Sequence, residues 1–181
     1  MRRNFLIVCL WCLTLVVYGE ETTHDFHAAS GVDLTWPMEG YSRNYHIGNM
    51  SDGTVYTCSG GDNKFRSVEL GGPVATVCIQ LKPNGYVVVS PAKEGLNAIQ
   101  ILHSPNAVNL TVSVSTNGNA PWTSVSELGT VANNNGYIDV TGLSGDYFIK
   151  ITNNAVTDAY ITEMHYITNP VSCPNCFPYI P

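Results

Sequence analysis

Residues 108–115 read Val-Asn-Leu-Thr-Val-Ser-Val-Ser, and this segment decides the fold. Its valines and leucine alternate strictly with asparagine, threonine and serine. Successive side chains of a β-strand point to opposite faces, so a period of two predicts a strand with one buried and one hydrated face. Asn117-Gly118-Asn119 follows, and these residue types tolerate the positive φ angles of tight turns. The segment therefore predicts a strand that ends in a turn and belongs to a sheet packed on one side.

Similar runs, rich in Val, Ile, Thr and Tyr, recur on both sides of this segment. Turn sequences separate them, among them Pro83-Asn84-Gly85 and the stretches at 133–136 and 143–146. No window of eleven or more residues has the spacing of an amphipathic helix. We therefore predict an all-β fold, a two-sheet antiparallel β-sandwich (jelly roll) of about nine strands. Besides 108–115, strands are expected at 53–58, 65–70, 74–81, 86–89, 97–103, 122–126, 136–140, 147–151 and 160–167.

The first nineteen residues have the layout of a secretory signal peptide. Arg2 and Arg3 precede an uncharged run from Phe5 to Tyr18, and the small side chain of Gly19 suits a cleavage site after it. A transmembrane helix is the alternative, but such a run spans only about 21 Å against the roughly 30 Å of a hydrocarbon core. We predict a secreted or cell-surface protein with no membrane segment after cleavage.

The rest of the chain divides into three parts. Residues 20–50 show weak periodicity, and we expect one strand near Val32–Trp36 and otherwise irregular chain. Residues 51–168 are predicted to form the sandwich domain. Residues 169–181 contain four prolines and a Cys-x-x-Cys sequence, which predicts a tail or linker. The protein is expected to be a monomer or a part of a larger secreted protein.

Charge limits the class of partner. The chain has 8 Lys and Arg against 14 Asp and Glu, and cleavage after Gly19 changes the net charge from −6 to −8. Phosphate backbones require a concentrated basic patch, so this composition excludes an ordinary nucleic-acid-binding protein. The hydrated faces are expected to consist of Ser, Thr, Asn and Gly, which hydrogen-bond neutral sugars. The acidic balance argues against strongly anionic polymers unless Ca²⁺ bridges them.

Four cysteines remain after cleavage: Cys58, Cys78, Cys173 and Cys176. Export favours disulfides, and Cys58 and Cys78 are candidates to link two neighbouring strands. Four cysteines allow three pairings, and the sequence does not choose between them. A four-sulfur zinc site is the alternative, which the export signal disfavours.

Three segments resemble a known fold family. Val112–Gly118 with the following Pro121-Trp122-Thr123, then Gly142–Asn153, then Ala159–Ile167 are similar to strands of galactose-binding-like jelly rolls. Such domains include the non-catalytic modules that accompany secreted bacterial pectate lyases and other polysaccharide-degrading enzymes. The resemblance covers about residues 80–168 and implies an accessory, polysaccharide-binding role.

Sugar binding needs flat aromatic rings against sugar faces and polar groups for the hydroxyls. The rings expected in or beside loops are Trp36, Tyr41, Tyr45, Tyr56 and Trp122, and the polar candidates are Asp62, Asn63 and Arg66. Packing within the domain is the alternative role for these rings, and the sequence favours it for Trp122.

Calcium is a second candidate ligand. Asp52, Asp62 and Asn63 flank a Gly-rich turn, and hard oxygen ligands suit Ca²⁺. Their spacing matches no calcium loop, so hydrated turn residues are the favoured interpretation. His24 and His27 form an i, i+3 pair without the three or four fixed ligands that a metal site needs.

No complete catalytic motif is present, since neither G-x-S-x-G nor H-E-x-x-H occurs. We therefore predict a non-enzymatic, secreted module that binds polysaccharide or another glycan through loop aromatics. Two alternatives stay open: a structural or adhesive β-sandwich protein, and the N-terminal fragment of a polysaccharide lyase.

Overall fold

Antiparallel β-strands make up almost all of the fold. The computed structural model describes residues 20–26, 46–59, 62–70, 75–104, 109–134 and 136–169. One turn of 3-10 helix, Val125–Glu127, is the single helical element within these ranges. None of this part of the chain is a helix long and apolar enough to cross a bilayer. The strands are β1 (Glu20–Asp25), β2 (Ile47–Asn49), β3 (Val55–Cys58), β4 (Lys64–Glu69), β5 (Ala75–Leu81), β6 (Tyr86–Ser104), β7 (Leu110–Ser115), β8 (Thr123–Ser124), β9 (Thr130–Asn134), β10 (Tyr137–Asn153) and β11 (Ala159–Thr168).

Two long strands, β6 and β10, organise the others into two layers. Layer one contains β2, β3, β7 and β8 together with residues 86–90 of β6 and 147–153 of β10. Layer two contains β1, β4, β5, β9 and β11 together with residues 96–104 of β6 and 137–141 of β10. Hydrogen bonds join all eleven strands into one sheet, which bends where β6 and β10 pass between the layers. The predicted all-β sandwich is confirmed.

The bend lies at residues 91–95 of β6 and 142–147 of β10. The β6–β10 register shifts three times between Thr141 and Ile149. Gly95 and Gly142 have φ angles of 60° and 81°, which glycine adopts without steric cost. Bulges and glycines of this kind let a strand turn a corner. The Gly95 N–H donates a 2.8 Å hydrogen bond to Asp146 Oδ1, which ties the two strands together at the corner.

The two layers enclose one hydrophobic core. Tyr56 on β3 lies 6.3 Å from Phe65 on β4 and 5.1 Å from Phe26 beside β1, measured between ring centroids, so side chains of the two layers touch. Alternation along each strand separates these inward residues from an outward set. The inward residues of the long strands are Val87, Val89, Leu96, Ile99, Ile101, Ile138, Val140, Leu143, Ile149 and Ile151.

Several predicted boundaries are wrong because turn residues also occur inside long strands. The separate strands expected at 86–89 and 97–103 are one strand, β6. Those expected at 136–140 and 147–151 are likewise one strand, β10, in which the expected turn at 143–146 is a bulge.

The irregular chain expected in residues 20–50 contains two strands, β1 and β2. The one buried side chain of β1 is polar His24, so no apolar alternation marks this strand in the sequence. The expected strand near Val32–Trp36, residues 1–19 and residues 170–181 lie outside the described residues.

Candidate functional site

The outward face of layer one carries two aromatic rings around a lysine. Val88 on β6 pairs with Lys150 on β10, which pairs with Ser113 on β7. Directly opposite residues of antiparallel strands share a face, and so do residues two apart along one strand. Tyr86 therefore joins Val88 on this face. Trp122 joins it as well, since it lies two residues before Ser124, the partner of Ser113. We call Tyr86, Val88, Lys150 and Trp122 the platform.

Lys150 connects the two rings of the platform. Its Nζ lies 5.5 Å from the centroid of the Tyr86 ring and 5.0 Å from that of Trp122. Both distances fall within the range of cation–π attraction, which is about 6 Å. The two ring centroids can be no further apart than these two distances combined. Lys150 thus lies within reach of two rings that come from different segments of the chain.

The platform is accessible and has hydroxyl groups around it. Tyr86 is 40% exposed and Trp122 is half-buried. The neighbouring outward positions on β3, β7, β8 and β10 include five hydroxyl residues, namely Thr57, Thr111, Thr152, Ser113 and Ser124. Apolar ring faces, a cationic donor and hydroxyls therefore lie on one surface, which is the combination that a sugar chain requires.

Of the five aromatic residues predicted from the sequence, Trp122 lies in this platform. Trp36, Tyr41 and Tyr45 lie outside the described residues. Tyr56 is completely buried, so the prediction that its ring meets a ligand is wrong. The Tyr56 hydroxyl can be buried because it has hydrogen-bond partners inside the core. It lies 2.7 Å from His24 Nδ1 and 2.6 Å from the Tyr166 hydroxyl. Burial is the first cause that raises the pKa of Tyr56 well above its usual value.

The buried hydrogen-bonded network of Tyr56, His24 and Tyr166 ends at Asp52. The carboxylate accepts hydrogen bonds from the Thr54 N–H and hydroxyl, both 2.8 Å long, and lies 3.2 Å from His24 Nε2 and 3.3 Å from Lys93 Nζ. Burial alone would raise the pKa of Asp52, but the Thr54 hydrogen bonds and the neighbouring Lys93 and His24 lower it from 3.8 to about 2. Burial also lowers the pKa of Lys93. With its oxygens engaged in this way, Asp52 is a structural residue of this network.

None of the three predicted polar residues is part of the platform. Arg66 is on β4 in layer two, where its Nη1 donates a 3.0 Å hydrogen bond to Gln80 Oε1. Asn63 is buried, and its Oδ1 accepts a 2.8 Å hydrogen bond from the Lys82 N–H. Asp62 is exposed and lies 4.0 Å from Lys64. Within the described residues, no three side chains of His, Cys, Asp or Glu converge as metal ligands.

Sequence reasoning missed Tyr86 and Lys150. Tyr86 is the first residue of β6 and lies on the same face as Val88, two residues further on. The sequence prediction considered rings in or beside loops and so left out this strand residue. Lys150 is the charged residue of the otherwise uncharged run from Tyr147 to Asn153. A lysine on the hydrated face of an apolar strand, in a chain with the candidate ring Trp122 beside a nearby turn, is the signal that could have found the platform.

Cys58 and Cys78, candidates for a disulfide between neighbouring strands, are both free thiols. Cys58 points into the core from layer one, whereas Cys78 is buried in layer two outside that core and donates to the Arg66 carbonyl oxygen at 3.6 Å. Burial raises the pKa of each thiol to about 12. Cys173 and Cys176 lie outside the described residues.

No protein-family model matches the sequence, and no curated protein is significantly similar to it. Among solved structures, the chain is similar in fold to a low-affinity xylan-binding module, CBM86, from the gut symbiont Roseburia intestinalis. The TM-score is 0.37 and the sequence identity 10%, over 83% of this chain and 97% of that one. At this level the similarity assigns no function to the chain.

Proposed function

We propose that this protein is a non-catalytic module that binds a polysaccharide on the platform of layer one. The observation that supports it best is the placement of the Tyr86 and Trp122 rings around one ammonium group. Aromatic faces pack against the C–H faces of pyranose rings, and the ammonium and nearby hydroxyls hydrogen-bond to sugar hydroxyls. An extended sugar chain lies across a flat sheet face more easily than in a closed pocket.

Affinity electrophoresis of residues 20–181 on xylan, β-glucan and pectin tests the proposal. We expect retardation by at least one polymer and about fivefold to tenfold weaker binding for Tyr86→Ala and Trp122→Ala, because each loses one ring contact. Tyr137→Ala is the matched control, since Tyr137 is 36% exposed on layer two. Thermal unfolding of each variant verifies its fold.

Two outcomes would contradict the proposal. Retardation by none of the polymers would remove polysaccharide binding and leave the structural or adhesive role. Retardation that is lost in Tyr137→Ala but kept in both platform variants would move the site to layer two.

We also propose that the protein is secreted after cleavage behind Gly19. Glu20, the first residue that cleavage would release, pairs with Thr168 at the start of β1. Expression of the whole chain in a secreting host, followed by N-terminal sequencing of the exported protein, is expected to give Glu-Glu-Thr-Thr. Retention of residues 1–19 on the exported protein would contradict cleavage.

A further inference from the structure

Lys150 differs from the other lysines of the chain. Lys64, Lys82 and Lys93 each have a carboxylate oxygen within 4.0 Å, those of Asp62, Asp158 and Asp52. Lys150 has no carboxylate within that distance among the described residues, although acids outnumber bases 14 to 8 in the sequence.

The strands around Lys150 explain this isolation. Its cross-strand row on the outward face continues from β10 through Val88 and Thr57 on one side and through Ser113 and Ser124 on the other. The neighbouring row along β10 carries Thr152 opposite Tyr86. None of these positions is acidic, so the platform is locally cationic on a chain that is acidic overall.

The two rings also restrict where the ammonium group can be. A free lysine side chain samples many rotamers, whereas cation–π attraction to Tyr86 and Trp122 favours positions above the platform. An ammonium group held between two sugar-stacking rings is complementary to a sugar that carries a carboxylate. The pair would be a charge-assisted hydrogen bond next to a stacked ring.

We infer that the platform prefers polysaccharides that bear uronic acid, with the carboxylate on Lys150 and a neighbouring sugar ring on Tyr86 or Trp122. The inference rests on the proposed function and names its ligand class. The overall negative charge does not prevent it, because salt screens distant charges beyond about 10 Å at 0.1 M. The nearby ammonium group of Lys150 sets the preference, and no bridging Ca²⁺ is needed.

Pairs of polymers that differ only in the carboxyl group test the inference. Polygalacturonan and glucuronoxylan are each compared with the same polymer after reduction of its carboxyl groups to neutral alcohols, in the presence of a chelator. We expect about fivefold tighter binding to at least one acidic polymer at 50 mM salt, as one exposed ion pair provides. The preference is expected to fall as the salt concentration rises.

Two lysine variants separate the local effect from the effect of total charge. Lys150→Gln is expected to abolish the preference, so that the acidic and the reduced form of each polymer bind with equal affinity. Lys82→Gln changes the net charge equally, at a lysine that is paired with Asp158 and is not part of the platform, and is expected to keep the preference.

The outcomes distinguish this inference from the proposed function. Equal binding of acidic and reduced polymers, or equal loss of preference in both variants, overturns the inference and leaves polysaccharide binding in place. Binding of none of the four polymers, together with no retardation by xylan, β-glucan or pectin, removes both.

Discussion

Asn63 shows at the scale of a single residue how a turn is fixed. A methyl group added at Gly85 would lie 1.8 Å from Asn63 Oδ1, the atom that accepts the Lys82 N–H. Gly85 itself donates to the Lys82 carbonyl at 2.8 Å and accepts from the Asn153 N–H at 2.9 Å. Asn63 is therefore a structural residue of the turn before β6, and the proximity of Gly85 leaves it no room to move.

We expect Gly85→Ala to lower the free energy of unfolding by about 2–3 kcal/mol, because the methyl group displaces Asn63 and leaves a buried N–H without its acceptor. Urea unfolding measures the loss. Gly53→Ala is the control, since no atom lies within 4 Å of the added methyl group and only the φ angle of 84° opposes it, at about 1 kcal/mol. Equal losses in the two variants would contradict this account of Gly85.

The site was predictable from the sequence only in part. Trp122 became a candidate because it is an aromatic residue beside a turn. The same criterion selects any ring beside a turn, whether the fold exposes it or buries it. Tyr56 met the same criterion, yet its partners His24 and Tyr166 are 32 and 110 residues away along the chain. Whether a tyrosine hydroxyl finds a buried partner depends on which strands come together, and one strand's pattern does not contain that information.

At the scale of elements, the buried network around Asp52 joins β1, β3, the bend of β6 and β11. His24, Tyr56, Lys93 and Tyr166 contribute one side chain from each of these strands. Lys93 Nζ also lies 4.7 Å from the Tyr166 ring centroid. Because Asp52 is held as a carboxylate, protonation weakens the contacts between four elements at once.

Acid is therefore expected to destabilise the fold through Asp52. The pKa of Asp52 is about 2 in the fold and near 3.8 otherwise, so its contribution is complete above pH 3.8 and is lost as the pH falls toward 2. The loss is about 1 kcal/mol, since the side chain is one-third exposed and solvent screens its charge.

Unfolding measured between pH 6 and pH 2 checks this. Wild type is expected to lose more stability than Asp52→Asn, which starts lower at pH 6. Asp62→Asn, at an exposed carboxylate, is the control and is expected to follow wild type. Parallel pH profiles for wild type and Asp52→Asn would contradict the role of Asp52.

The lengths of β6 and β10 could not be predicted for a related reason. Gly95 and Gly142 have the backbone angles of turn residues, but here they bend a strand whose hydrogen bonds continue on both sides. Glycine chemistry is the same in a hairpin and at a corner. The pairing with a neighbouring strand decides whether a hairpin or a corner forms. The alternation in 108–115, in contrast, is a local signal, and it correctly predicted the strand β7.

At the scale of the whole molecule, the two described cysteines report on folding. Cys58 and Cys78 are buried in different layers, and a thiol with a pKa of about 12 is almost wholly protonated at pH 8. We expect neither to react with a thiol reagent in the native protein and both to react after unfolding without reductant.

The Cys173→Ser/Cys176→Ser variant of residues 20–181 provides the measurement, because these two cysteines are then its only thiols. Labelling quantified before and after addition of guanidinium is expected to rise from near zero to two thiols per chain. No labelling in guanidinium without reductant would indicate a disulfide and contradict the free-thiol assignment.

The pairing of Glu20 with Thr168 also determines how the domain can be attached to something else. The strand on which the described domain begins and the strand on which it ends are neighbours in layer two, while the platform is the outward face of layer one. A fusion partner joined next to Glu20 or next to Thr168 would therefore be attached on the same side of the domain. The platform lies on the other layer, so the domain could be inserted whole into a loop of a host protein and still display that surface.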